Sequence, residues 1–179
     1  MKKKILLIFC CALPMIWSCK KDCDNLTNGS LTDEERKFLI PSSLILSFSD
    51  DANDTEFVTV DAPKFANDAS AGDACAGNEF ADQTYHFPLS YIVNAHLEHN
   101  NGDAAQQLQI RKNSVVVFKF DLSVSHYTEV VIGTQHFSKV LVDSVTTTTY
   151  SPTIRKIWYG QNTGVLQYEK WNGEIWRQN

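Results

Sequence analysis

The chain is short of positive charge: 16 basic residues stand against 21 acidic ones, and no stripe of lysine or arginine interleaved with aromatics occurs. Such stripes are how proteins hold phosphate backbones, so nucleic acid is excluded as a partner. No apolar run is long enough to cross a bilayer as a helix, which takes roughly 20 residues. No Gly-x-Ser-x-Gly elbow is present, so the commonest sequence sign of a serine hydrolase is missing. Helical stretches between the strand-like segments are also missing. Parallel neighbours need such crossovers, which excludes a parallel α/β fold.

What is there begins with an address. Met1 is followed by Lys2, Lys3 and Lys4, the apolar run Ile5 to Trp17, then Ser18 and Cys19. A basic start, an apolar stretch and a small residue before a cut form a secretory signal. Thirteen residues at about 1.5 Å each make roughly 20 Å of helix, short of a bilayer core of about 30 Å. The segment 1–18 is therefore expected to be an export signal and not a span. Ile16-Trp17-Ser18-Cys19 resembles a lipobox, with Ile16, Ser18 and Cys19 matching its pattern and Trp17 departing from it. That resemblance implies diacylglycerol on the Cys19 thiol and cleavage just before it. The polar residues 19–31 then act as a tether, leaving 32–179 as the domain.

Removing residues 1–18 takes away three lysines and deepens the formal charge from −5 to −8. Of the five cysteines, Cys10 and Cys11 leave with the signal and Cys19 carries the lipid. Cys23 and Cys75 remain, an even pair in a compartment where disulfides persist. A bridge between them would close a loop of about fifty residues, stabilising by roughly 4 kcal/mol in the chain-entropy model.

Thr32, followed three residues later by Glu35, reads as a capping box, and Pro41 limits the helix behind it to about two turns. From Leu44 onward alternation and β-branched residues dominate. Strands are expected at 44–48, 56–60, 84–87, 91–98, 105–111, 114–122, 127–132, 137–149, 154–159, 164–169 and 174–177. Val116, Phe118, Phe120 and Leu122 should share one face. Short polar turns, among them Lys112-Asn113 and Asn172-Gly173, force antiparallel neighbours. The expected fold is all-β: an antiparallel meander curled into a barrel or half-barrel behind one short N-terminal helix. Ala62 to Gln83, small, acidic and turn-rich, reads as a long loop.

Candidate sites are few. His96-Leu97-Glu98-His99 could suggest a metal, but in a strand His99 points away from the other two. Ser49 to Glu56 crowds oxygen ligands without the glycine and glutamate of a helical-loop calcium site. No metal or cofactor is therefore expected. Trp158, Trp171 and Trp176 crowd the last twenty-two positions, and a two-residue Asn172-Gly173 turn would place Trp171 and Trp176 on one face. They are the candidate ligand face, set against the simpler role of filling a small barrel.

The order of these parts, closing with Lys156-Ile157-Trp158-Tyr159-Gly160 to Tyr168-Glu169 and Asn172-Gly173-Glu174-Ile175-Trp176, resembles small uncharacterised lipoproteins of the Bacteroidota. Its ending is similar to the half-barrel of lipoprotein carriers of the LolA/LolB type. The resemblance implies fold and a lipid-anchored place in the cell envelope, at the outer membrane, and no catalytic residue. The expected function is non-enzymatic: a module binding a lipid, glycan or peptide. The alternatives are a structural module that holds an envelope protein partner, or a hydrolytic enzyme. A ligand-binding barrel needs a hollow interior around Phe118 and Phe120. A structural module needs a filled core and an apolar surface patch. An enzyme needs a cleft with shifted titrating groups.

Overall fold

The computed structural model describes residues 30–69, 77–99, 107–122, 127–146 and 154–179. One helical turn, α1 (Asp33–Arg36), precedes β1 (Leu44–Ser49), β2 (Thr55–Val60), β3 (Lys64–Ala69), β4 (Gly77–Phe87), β5 (Tyr91–Glu98) and β6 (Gln107–Lys112). Then come β7 (Val115–Asp121), β8 (Thr128–Ile132), β9 (Gln135–Ser144), β10 (Ile154–Gly160), β11 (Gly164–Lys170) and β12 (Ile175–Gln178). All belong to one antiparallel sheet curled into a half-barrel.

The strand order is β7-β6-β5-β4-β2-β1-β12-β11-β10-β9-β8, with β3 pairing β4. Two meanders, β4 to β7 and β8 to β12, are thus joined where the first strand pairs the last, Phe48 opposite Gln178 and Ser49 opposite Arg177. β7 and β8 follow each other in sequence yet end opposite edges of the path. The sheet must curl to bring those edges together, and the backbone N–H of Lys119 on β7 reaches the Asp143 carboxylate on β9 at 3.0 Å.

The segment expected to loop, Ala62 to Gln83, instead holds β3 and the first half of β4. β4 pairs β3 through Lys64–Asp82 to Ala69–Gly77 and pairs β2 at Thr59–His86 and Val60–Tyr85. β2 and β3 are therefore one long strand broken by Asp61-Ala62-Pro63, where three residues face two. Pro63 has no N–H for the ladder, and proline in sheets is confined to such breaks and edges.

Inside, alternate residues fill the half-barrel: Leu46 and Phe48, Val58 and Val60, Val93 and Leu97, Leu108 and Ile110, Phe118 and Phe120 are all buried. Val116 was expected beside Phe118 but is exposed. The β6–β7 register slips between Ile110 and Arg111, and one extra residue turns everything beyond it to the other face.

Residues 31–40 close one end as a plug. The helix is one turn, not two, started by the expected box: the Thr32 backbone N–H donates to Glu35 Oε2 at 2.5 Å and the Glu35 N–H to Thr32 Oγ1 at 3.2 Å. Glu35 is buried, with His99 Nδ1 at 3.1 Å from its other oxygen. Phe38, Leu39 and Ile40 sink into the core, each worth about 1.5–3 kcal/mol in apolar burial. The Phe38 and Leu39 N–H groups bond the Glu35 and Arg36 carbonyls, and side chains answer others. Gln83 accepts from Ile40 N–H at 2.9 Å and donates to its carbonyl at 2.8 Å, while Tyr159 donates to the Phe38 carbonyl at 2.7 Å.

Candidate functional site

A second, smaller apolar cluster lies away from the main core: Ile132, Val140 and Leu166 are buried, with Val130, Phe137, Val142 and Trp158 against them. It exists because the β8–β9 hairpin folds back over the sheet. β9 pairs β10 only from Val140 onward, and Lys139, just before, takes a positive φ of 57° where the β8–β9 register shifts between Thr128 and Val130. Such bulges bend a strand and raise its twist.

The folded-back tip brings Ile132, Gly133, Thr134 and Gln135 next to the ends of β1 and β12. Together with Ser49, Asp50, Arg177, Gln178 and Asn179 they line a cleft of about 340 Å³, inside the usual range for ligand pockets of about 300–1,000 Å³. The floor is polar because Ser49 pairs Arg177 and paired residues share a face. Ser49 Oγ donates to Asn179 Oδ1 at 2.6 Å, and Arg177 Nη1 donates to Asp51 Oδ1 at 2.5 Å. Asp50 Oδ1 accepts the N–H groups of Ala52 and Asp54, each at 2.9 Å. The Ser49 to Glu56 run is thus a hairpin held by its own carboxylate. Gln178 sits opposite Phe48, on the inward face, and its Oε1 is shielded with no hydrogen-bond partner among the described residues.

Among the described residues the interior is filled. Phe118 and Phe120 are packed in the core, and a cavity at the far end from the plug, bordered by Glu56, Tyr91, Tyr168 and Lys170, holds only about 30 Å³. At that end Tyr168 and Lys170 both donate to Glu56, each at 2.6 Å. Burial raises the Tyr85, Tyr91, Tyr159 and Tyr168 phenols above the usual tyrosine range. These groups belong to the packed core and not to the cleft.

The three tryptophans do not form one face. Trp176 is buried, stacked on Tyr168 at 6.3 Å under the Lys170 ammonium. Trp158 lies on the other face in the smaller cluster, and Trp171 stands at the hairpin tip, 38% exposed. The reason is one residue of loop. Lys170 pairs Glu174 through its N–H, and Gly173 takes φ 90°, giving a three-residue loop in place of Asn172-Gly173 alone. Trp176 then opposes Tyr168 and not Glu169, which flips it inward.

His96 is held by Asp82 at 2.8 Å while His99 turns to Glu35, and among the described residues no three His, Cys, Asp or Glu side chains converge as a metal site. Cys19, Cys23 and Cys75 lie outside the described residues. The cleft went unread in the sequence because its floor is built from strands 130 residues apart. Gly133-Thr134 was its one local sign, as a turn that gives the hairpin its tip. No protein-family model, no curated protein and no solved structure matches the chain.

Proposed function

We propose that this chain is a lipid-anchored protein of the cell envelope whose β domain docks a protein partner and performs no chemistry. The anchor rests on the Ile16 to Cys19 pattern, and the tether enters the domain at Leu31, whose N–H is held by Glu79 at 2.9 Å. Among the described residues the interior is packed, which favours a docking domain over a carrier of lipid cargo. The observation that carries the reading is the neighbouring exposure of Ile45, 67% exposed, and Phe57, 62% exposed. Ser47 opposes Phe57 and Ile45 opposes Thr59, so the two apolar side chains stand diagonally on the outer face, within reach of each other. Ile92, also exposed, continues that face through His86 and Thr59. Contiguous exposed apolar side chains mark interaction surfaces.

A photo-crosslinking residue at position 57, in the protein in its own membrane, should give one discrete adduct that an Ile45→Asp change removes. An adduct with the mass of two copies of this chain, or none at all, refutes a separate protein partner. Metabolic labelling with a fatty acid, lost on Cys19→Ser, tests the anchor, and separating inner from outer membranes tests its outer-membrane place. A native mass lower by two hydrogens tests the Cys23–Cys75 bridge.

A further inference from the structure

We infer that the cleft under the β8–β9 tip is a binding site for a small, uncharged, hydroxyl-rich molecule of monosaccharide size. Its independence from the docking face is geometric. Neither Ile45 nor Phe57 lines the cleft, which is roofed by Gly133 and Thr134 and floored by Arg177 and by Ser49, four residues further along β1 than Ile45.

Three observations set the ligand class. The first is size, since about 340 Å³ holds a sugar ring but not an acyl chain or a folded segment. The second is charge. The Arg177 guanidinium is already paired with Asp51, and Asp50 is turned onto backbone N–H groups. The lining carries one carboxylate and one guanidinium side chain, so neither sign is in surplus among its side chains. The third is the mixture of donors and acceptors. Guanidinium, carboxylate, serine and threonine hydroxyls and the Asn179 amide alternate around one space. A hydroxyl both donates and accepts, so a polyol can answer such a lining at every point, where a purely donating or purely accepting ligand cannot.

The roof also fits. Gly133 holds a positive φ of 59°, and a Cβ there would meet nothing within 4 Å. Space is therefore open around the turn at Gly133. The tip is packed through the Ile132, Val140 and Leu166 cluster, of which only Ile132 borders the cleft.

The test is saturation-transfer NMR on the full chain, with methyl α-D-glucopyranoside as probe and tetramethylammonium and inorganic phosphate as rivals. Saturable transfer to the glucoside is expected, with no competition from either ion. It should weaken at least tenfold, about 1.4 kcal/mol, in Thr134→Trp, which fills the space beneath the tip, and in Arg177→Met. Both positions are at the surface or half-buried, and an unchanged melting temperature shows that either variant still folds. Absence of saturable transfer overturns the proposal, as does transfer that persists in both variants or an ion that competes for the site.

Discussion

The phenol oxygens of Tyr85 and Tyr159, 74 residues apart in sequence, lie 2.9 Å from each other in the core, and the second donates a hydrogen bond to the Phe38 carbonyl at 2.7 Å. The relay ties β4, β10 and the plug into one unit. Tyr159→Phe removes its middle, taking the tyrosine donor from the Phe38 carbonyl and leaving the Tyr85 hydroxyl only its 3.3 Å bond to Gln83 Oε1. It should lower stability by about 1–3 kcal/mol, read by urea denaturation, while Trp158→Phe, in the outer cluster, should leave the plug's protection from hydrogen exchange unchanged.

Alkaline pH should unfold the domain through its tyrosines. Burial raises the folded-state values of Tyr85, Tyr91, Tyr159 and Tyr168, with Tyr91 pushed up to about 12. Raised values mean that the folded chain holds these protons more tightly than the unfolded chain does. The stability they contribute is complete below pH 10 and is lost as pH climbs through the folded values. Stability measured against pH should therefore fall between 10 and 12. Phenolate absorbance from the buried rings should appear together with unfolding and not ahead of it.

Two glycines with the same backbone sign should respond differently to alanine. Gly133 and Gly164 both take positive φ, 59° and 67°. At Gly133 a Cβ meets open space, so Gly133→Ala should cost only the left-handed penalty of about 1–2 kcal/mol. At Gly164 a Cβ would run into the Tyr85 hydroxyl and approach Ile40 Cδ1 to 3.0 Å. Gly164→Ala should add an overpacking cost of about 1–3 kcal/mol and loosen the plug. Equal losses in thermal denaturation would contradict the packing account.

The β4–β5 turn is poorly served by its sequence. Leu89 and Ser90 take φ of 58° and 59°, and Leu89 is 96% exposed. A leucine gains nothing there by burial and bears the steric cost of the left-handed region, roughly 1–2 kcal/mol, which asparagine largely escapes. Leu89→Asn should raise the melting temperature, and a drop would mean that Leu89 makes a contact in the folded chain.

Gln178 offers the opposite repair. Its Oε1 is shielded beside Phe48 without a partner, a state that costs about 1–3 kcal/mol. Gln178→Leu should stabilise the domain toward urea. Loss of stability would show that the amide is satisfied in solution.

Much of the fold could be read from periodicity. β5 runs Tyr91–Glu98 as alternation demanded, and Thr32 with Glu35 marked the start of α1. What escaped depended on partners far away in sequence. Phe65-Ala66-Asn67 has little strand preference of its own and is a strand because β4 supplies its ladder. The adjacency of β1 and β12 has no local sign at all. Faces failed where a single extra residue intervened, at the bulge before Phe118 and in the Trp171-Asn172-Gly173 loop. Alternation predicts burial only up to the first slip. The cleft inherits both difficulties, since it joins chain ends that no pattern connects under a hairpin whose bend begins at Lys139.

The plug also fixes how the domain responds to traction. A pull applied from residues before Ser30 arrives first at Leu31, and from there at the Glu79 carboxylate, which also holds Arg36 at 2.6 Å. The next anchors are Gln83 and Tyr159, on strands well inside the sheet. Load is thus spread across side-chain bonds to β4 and β10 before any backbone ladder is sheared. A chain drawn from this end should shed residues 31–40 as a separate mechanical event, with the sheet of described strands still standing.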